Sequence, residues 1–114
     1  SEEARLPARL EVASLIRLAQ NEGGFAVVIK SGDEQGGTIL LVLTERGENP
    51  RVYERMPQLD GSRVWHCTKK QDTENKRNIS DYLERRGSQD VDLWVVELDI
   101  VNGERLIGLE PYQA

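Results

Sequence analysis

The segment covering residues 90–100 constrains the fold of this chain more than any other segment. Its apolar residues occupy both alternating sets of positions, namely Val91, Leu93, Trp94, Val95, Val96 and Leu98. Successive residues of a strand point to opposite faces of a sheet, so both faces of this strand must be buried. The pattern predicts an interior strand in a sheet that other parts of the chain cover.

The rest of the chain supplies two helices and four more strands. Apolar residues at helical spacing predict a helix over Ala8–Asn21 and a second helix over residues 74–86. Gly23 and Gly87 follow these two segments as stop signals. Runs rich in β-forming residues predict four strands, over Phe25–Lys30, 38–45, 51–56 and 62–68.

The order of these elements, α-β-β-β-β-α-β, predicts the fold class. Short loops join the first four strands, which indicates an α+β fold with a mainly antiparallel sheet of five strands and two helices. A fifth strand that runs opposite to the first can pair beside it without crossing other connections, which predicts the spatial order 5-1-2-3-4. Asn102-Gly103 is a strong signal for a type I′ hairpin turn, so residues 106–109 are predicted to form a sixth, short strand.

Length and composition narrow the class of protein. At 114 residues, with 38% hydrophobic and 31% charged, the chain is predicted to be a single soluble domain over residues 1–114. The net charge of −5 argues against binding to nucleic acids through a basic surface. No apolar run approaches the roughly 20 residues that cross a bilayer, and the acidic first residues do not resemble a signal peptide. A single cysteine allows no internal disulfide, so we expect a cytoplasmic protein without membrane contact.

Several chemistries find no motif in the sequence. Neither a P-loop nor a dinucleotide-binding glycine motif is present. His66 and Cys67 are neighbours on a strand and point to opposite faces, so they cannot form a nucleophile–base pair; we expect a surface histidine and an inert core thiol. A zinc site needs about four such ligands. Glu54, Asp60 and Asp99 could bind Mg²⁺, but their spacing matches no known pattern. We therefore expect no cofactor and no metal.

One group of side chains could form a binding site. If the turns at residues 47–50 and 58–61 close tightly, one face of the sheet presents five polar side chains, Arg46, Arg51, Tyr53, Arg55 and His66. Arginine guanidinium groups can hold a phosphate or carboxylate bidentately, and tyrosine and histidine add hydrogen bonds. The alternative is that these are ordinary solvated strand residues. A one-residue slip in register would move the whole set to the other face.

The same register has two further consequences. Glu45 and Glu54 fall on the core side, where Glu54 is either a general base with a raised pKa or a rim residue paired with an arginine such as Arg63. Four apolar side chains share the face of the arginines, namely Ala26, Val28, Leu40 and Val42. Such a strip needs a cover, which predicts either a helix above it or a homodimer.

The chain also resembles a known family. The resemblance is carried by Asn49-Pro50-Arg51 and by the stretches at residues 4–12, 23–26, 39–43, 45–47, 53–61 and 92–99. Of these, the run YERMPQLDG at residues 53–61 is the most distinctive. Together they resemble DUF1491, a family of short bacterial proteins of unknown function. The resemblance implies a small bacterial cytoplasmic protein whose C-terminal end is more helical than a hairpin at Asn102-Gly103, and it implies no catalytic residue, cofactor or substrate.

These observations favour a non-enzymatic binding or accessory module. It would engage a protein or a small anionic ligand through the sheet face around Arg51, Tyr53 and Arg55. The alternative is a small metal-dependent hydrolase or nuclease-like enzyme that acts on a phosphate-containing substrate. Three carboxylates converging in one cleft would favour the enzyme.

Overall fold

The computed structural model describes residues 6–57, 59–72 and 74–111. Its elements are α1 (Ala8–Asn21), β1 (Phe25–Lys30), β2 (Ile39–Glu45), β3 (Glu48–Pro57), β4 (Arg63–Lys70), α2 (Asn78–Gln89), β5 (Trp94–Asp99) and a 3₁₀ helix, η1 (Gly103–Ile107). The predicted α+β class, with two helices and a five-stranded sheet in the order α-β-β-β-β-α-β, is confirmed. No helix in the described ranges is long and apolar enough to cross a membrane.

The sheet has the spatial order β1-β5-β2-β3-β4. β5 pairs antiparallel with β1 and parallel with β2, and the remaining pairs are antiparallel. The interior position predicted for β5 is confirmed, whereas the predicted spatial order 5-1-2-3-4 is wrong because β5 lies between β1 and β2. A strand that is apolar on both faces buries more surface with a neighbour on each side than at an edge. β1 becomes an edge strand as a result.

The turn between β2 and β3 lies at Arg46-Gly47 rather than at residues 47–50. Both residues have positive φ angles, 56° and 78°, as a two-residue type I′ turn requires. Asp99 holds this turn, because its carboxylate accepts the backbone N–H groups of Arg46 at 2.6 Å and Gly47 at 2.9 Å. Pro50 consequently lies inside β3.

This turn and a register irregularity between Leu43 and Glu45 together change the register of β3. The turn alone would shift the register by an even number of residues, and the irregularity makes the shift odd. Tyr53 lies opposite Leu41, and not opposite Thr44 as predicted, so the shift is an odd number of residues. β4 is also shifted, by one residue, because Tyr53 lies opposite Cys67 and not opposite His66. An odd shift moves a side chain to the other face of the sheet. The prediction that Arg51, Tyr53 and His66 share one open face is therefore wrong.

Each face of the sheet has its own core. On one face, α1 packs against β1, β5 and β2. The buried side chains of this core include Val12, Leu15 and Ala19 from α1 and Leu41, Leu43, Val96 and Leu98 from the sheet. On the other face, Ile79 of α2 packs against Leu40, Val42, Val52, Leu93 and Val95. Ala26 contacts the α1 core, so the predicted strip of Ala26 and Val28 with Leu40 and Val42 on one face is wrong. β5 lies between β1 and β2, so Ala26 and Val28 are not beside Leu40 and Val42.

The chain after β5 turns into a helix and not into a sixth strand. Asn102 adopts the left-handed conformation predicted for it, with φ 55°, but η1 begins directly after it. Gly103 lies against Leu43 and Ile100, where an added Cβ would come within 3.2 Å of the Ile100 side chain. This close packing directs Glu104 into the protein interior, where it is 1% exposed. The helical end implied by the family resemblance is therefore the one that forms.

Candidate binding surface

Arg51, Tyr53 and Glu104 form a buried polar cluster on the α1 face. The Arg51 guanidinium donates from Nε and Nη2 to the two carboxylate oxygens of Glu104, each at 2.7 Å. The Tyr53 hydroxyl donates to Oε2 of the same carboxylate at 2.6 Å. The side chains of Arg51 and Glu104 are each 1% exposed. This arrangement joins η1 to β3.

The electrostatics of the cluster hold all three groups in their ordinary protonation states at neutral pH. Burial acts to raise the pKa of Glu104, but the hydrogen bonds from Arg51 and Tyr53 outweigh it and hold that pKa below its usual value. Burial and the bond to Glu104 raise the pKa of Tyr53 well above its usual value. The buried ion pair is therefore charged and fully hydrogen-bonded. Arg51 and Tyr53 are used by the fold and do not face solvent.

The other three predicted site residues lie apart from this cluster. Arg55 is on the same face, where it forms an ion pair with Glu11 of α1 and lies 4.9 Å from the ring centroid of Trp65. Arg46 is exposed in the β2–β3 turn. His66 is exposed as predicted, but on the opposite face of the sheet, across from Glu54. Of the five predicted residues, only Arg51 and Tyr53 come together.

A polar cavity of about 420 Å³ lies at the end of the sheet where β2 begins, and Arg55 lines it. Glu11, Glu54, Arg63 and the loop at residues 36–38 also line this cavity. Glu54 is paired with Arg86 of α2, at 2.7 and 3.2 Å. That ion pair gives Glu54 the rim role that the sequence left open. The two lining arginines and two lining glutamates carry balanced charge.

The described residues contain no group of three or more His, Cys, Asp or Glu side chains that could hold a metal ion. Two of the predicted magnesium ligands have structural partners, because Asp60 binds Ser62 and Asp99 holds the β2–β3 turn. Cys67 is exposed rather than in the core, so that prediction is wrong. It lies opposite Tyr53, and desolvation raises the pKa of its thiol.

An apolar surface that the sequence did not indicate lies on the α2 face of β1. Phe25 is 74% exposed, Val27 is 55% exposed and Ile29 is 49% exposed. α2 covers β2, β3 and the start of β5, and it approaches β1 at Lys30, whose side chain lies beside Gly87, while Phe25 and Val27 stay exposed. We call these three residues the open β1 surface. The sequence signal was the uncharged run from Phe25 to Ile29, which has no meaning as an interface until β1 is known to be an edge strand.

A groove of about 470 Å³ separates the open β1 surface from α2. Ile29 and Val95 form its floor, and Leu83 and Gly87 form its wall. The ammonium group of Lys30 is held at one end by the carbonyl oxygens of Val91 and Leu93, at 3.0 and 2.8 Å. The groove is therefore almost entirely apolar, with Glu84 as a charged side chain at its border.

The fold and this surface define a small α+β protein whose sheet is covered on one face and half open on the other. The chain belongs to the DUF1491 family, described as proteins of unknown function, whose sequence profile matches residues 6–108. No protein with a curated description matches it.

Solved structures of relatives share the fold. A DUF1491 family protein from Caulobacter crescentus, solved by crystallography, is 31% identical in sequence and has a TM-score of 0.80. The match covers 96% of this chain and 100% of that protein's chain. A DUF1491 family protein from the same organism, solved by NMR, is 30% identical in sequence and has a TM-score of 0.77. The match covers 98% of this chain and 100% of that protein's chain. The solution structure of protein Atu0922 from A. tumefaciens is also similar, with 29% sequence identity and a TM-score of 0.75. The match covers 96% of this chain and 98% of that protein's chain.

Proposed function

We propose that this protein is a non-enzymatic binding module that takes an amphipathic helix of a partner protein into the groove between β1 and α2. The observation that carries the proposal is the exposure of Phe25 and Val27 beside an apolar groove. Contiguous exposed apolar surface next to a groove is typical of protein-binding sites. The arginine face predicted from sequence no longer serves this role, because Glu104 occupies the hydrogen-bonding groups of Arg51 and Tyr53.

The dimensions of the sheet favour a helix as the occupant. Neighbouring strands lie about 4.8 Å apart, so the outer strands of a five-stranded sheet are roughly 19 Å apart. A helix with its side chains is about 10 Å across, so each face needs about two helical elements for full cover. Within the part of the chain that the structure describes, the α1 face has α1 and η1, whereas the α2 face has α2 as its one helix. The vacant position lies over β1.

The groove wall also suits a helix. α2 lines it with Ser80, Leu83, Glu84 and Gly87, which follow helical spacing along one side of the helix. Two of these residues are small, and small residues allow two helices to approach closely. β1 has six residues, and a strand of that length spans about 20 Å, which corresponds to about 13 residues of helix. A partner segment of three to four turns would fill the groove.

The charges around the groove favour a basic partner helix. Glu84 lines the groove, and Glu97 lies on the same face of the sheet, where Thr44 donates to its carboxylate at 2.9 Å. Lys30 offers little to a partner, because two carbonyl oxygens hold its ammonium group. The chain as a whole has a net charge of −5. Lysine or arginine beside the apolar stripe of the partner would meet complementary charge.

A second copy of α2 does not fit this position. The remaining surface of α2 carries exposed charged residues, among them Asp81, Glu84 and Arg85. Burying them over Phe25 and Val27 would cost desolvation without a partner charge. The proposed occupant is therefore a helix from a different protein.

The proposal is tested with a peptide of known chemistry. An amphipathic leucine–lysine helix of about 14 residues is titrated into ¹⁵N-labelled protein, and the amide shifts are followed by NMR. We expect saturable shifts concentrated in residues 25–30 and 80–87. A leucine–glutamate peptide of equal length should bind more weakly, because it carries the same sign of charge as Glu84 and Glu97.

Matched variants separate the groove from general surface hydrophobicity. Val27 and Val101 are 55% and 56% exposed, so Val27→Ser and Val101→Ser remove similar apolar surface. Val27→Ser should weaken peptide binding about fivefold, since it removes roughly 1 kcal/mol of apolar contact, and Val101→Ser should not change it. Equal effects of the two variants, or shifts located on β4, would refute the groove as the site.

A second candidate is a small anionic ligand in the polar cavity, favoured by the presence of Arg55 and Arg63 in its lining. Thermal-shift measurements with phosphate, pyrophosphate and dicarboxylates test it, because a ligand at 100 times its dissociation constant adds about 2.7 kcal/mol of stability. Stabilisation that disappears in Arg63→Gln would favour this candidate. No stabilisation by any of these anions would remove it and leave the helix-binding function standing.

A further inference from the structure

The two edge strands of the sheet differ in how they are protected against pairing with other chains. β4 carries four basic side chains, Arg63, His66, Lys69 and Lys70. Charged side chains on an edge strand oppose the addition of another strand. β1 has five successive uncharged residues, Phe25 to Ile29, and no proline. Its one lysine is bound to the carbonyl oxygens of Val91 and Leu93 and does not guard the edge.

We propose that β1 is a dimerisation edge, at which a second copy of this chain pairs antiparallel with β1 and joins the two five-stranded sheets into one. This inference goes beyond helix binding and does not depend on it. The edge uses the outward backbone groups of β1, whereas the groove uses side chains on one face.

Strand geometry selects the register of this dimer. Directly opposed residues in an antiparallel pair must point their backbone N–H and C=O groups the same way, either toward each other or away. β1 alternates regularly from Phe25 to Val28, and its register with β5 shifts between Val28 and Lys30. Over the regular stretch, odd-numbered residues of β1 face odd-numbered residues of the partner strand, and even-numbered residues face even-numbered ones. Centring the two-fold axis on Val27 overlaps all five uncharged residues of Phe25 to Ile29 with their counterparts.

The contacts in this register are self-complementary. Val27 faces Val27 of the partner subunit, and Ala26 faces Val28 of the partner subunit. Lys30 faces Gly24 of the partner subunit, so no like charges meet, although each chain carries a net charge of −5. The outer edges of the joined sheet are then the two β4 strands, which carry basic residues. The assembly is closed at two copies for this reason.

The size of the contact predicts weak association. A standard interface buries about 800 Å² per partner, and one short strand with a single aromatic side chain supplies less. We therefore expect a dissociation constant on the order of 100 µM. The dimer would form at high protein concentration and dissociate on dilution.

Sedimentation velocity of the full chain, from roughly 10 µM to 1 mM, tests the dimer across the expected dissociation constant. The sharpest variants place charge on the two-fold axis, where Val27→Lys brings two lysines together and Val27→Glu brings two glutamates together. Each variant alone should weaken association at least about tenfold, because like charges directly opposed repel. An equimolar mixture of the two variants should restore it as a heterodimer.

Val101→Lys is the matched control, since Val101 has the same exposure as Val27 and lies outside the sheet. It should dimerise as the native chain does, and cooperative thermal melts of all variants would show that they fold. A native chain that stays monomeric at about 1 mM would overturn the proposal. So would dimers of Val27→Lys as stable as the native ones, or a mixture of folded Lys and Glu variants that remains monomeric.

Discussion

The two faces of the sheet use polar and apolar side chains in opposite ways. The α1 face buries an arginine, a glutamate and a tyrosine, yet it pairs every charge, as Arg51 and Glu104 show at 1% exposure each. The α2 face leaves the apolar side chain of Phe25 at 74% exposure. A buried charge with all its partners present is a feature of a completed fold, whereas exposed apolar surface marks a missing neighbour. The comparison therefore places the buried ion pair on one face and the proposed binding surface on the other.

The largest effect should come from breaking the buried cluster. Glu104→Ala leaves the Arg51 guanidinium buried without its bidentate partner, which should lower the free energy of unfolding by about 3–5 kcal/mol. Glu54→Ala breaks the Glu54–Arg86 pair of the α2 face, whose side chains are 18% and 25% exposed and can reach water, so it should cost less. Urea denaturation measures both. A Glu104→Ala cost equal to that of Glu54→Ala would abolish the distinction between the faces.

Glu104→Gln should cost about 2 kcal/mol at neutral pH, because it keeps the shape but loses the charge-assisted hydrogen bonds. The pKa of Glu104 is held below its usual value in the folded state, so its carboxylate stabilises the fold above the usual carboxyl pKa of about 4.3. That contribution is lost as the pH falls through the folded-state pKa. The difference in stability between the native chain and Glu104→Gln should therefore shrink from pH 6 toward strongly acidic pH. A pH-independent difference would mean that Glu104 is not the charged partner of Arg51.

Tyr53→Phe should lower the free energy of unfolding by about 1 kcal/mol, since it removes one hydrogen bond to Glu104 and leaves the two from Arg51. The raised pKa of Tyr53 also predicts the direction in which stability changes with pH. The protonated phenol stabilises the fold below the ordinary tyrosine pKa of about 10, and this contribution is lost as the pH rises through the folded-state pKa. Alkaline unfolding curves should show the native chain losing stability above that pH more steeply than Tyr53→Phe does.

The smallest effect on stability should come from the open β1 surface. Phe25→Ser changes a side chain that is 74% exposed, so the free energy of unfolding should move by less than about 0.5 kcal/mol. Leu43→Ala, on the covered α1 face, should cost about 2–5 kcal/mol. A loss of more than about 2 kcal/mol in Phe25→Ser would mean that Phe25 packs in the folded monomer and is not available to a partner.

The elements of this fold could be predicted because their signals are local. α1 and β1 begin and end where the spacing of apolar residues and Gly23 indicate. The buried cluster of Arg51, Tyr53 and Glu104 could not be predicted because it depends on the register of the strands. The turn at Arg46-Gly47 and the register irregularity between Leu43 and Glu45 together place Arg51 opposite Leu43, on the face that η1 covers. No local signal distinguishes this arrangement from a turn at residues 47–50. The partner of Arg51, Glu104, comes from between the predicted hairpin turn at Asn102-Gly103 and the predicted strand at residues 106–109.

The edge position of β1 could not be predicted for a related reason. It depends on the parallel pairing of β5 with β2, two strands that are far apart in the chain. The sequence pattern of residues 25–30 does not distinguish a covered strand from an open one. The open β1 surface becomes visible only once β5 has displaced β1 from β2.

The position of β5 also has a consequence for how the chain folds. During synthesis the first four strands emerge before the strand that joins them, so β1 and β2 have no direct partner in each other and must wait for residues 94–99. The final pairing closes long loops on both sides, which slows folding because loop-closure entropy is lost before the contacts form. The complete sheet therefore forms only after the last strand has left the ribosome, and until then the uncharged edge of β1 and the apolar edge of β2 are both exposed to aggregation.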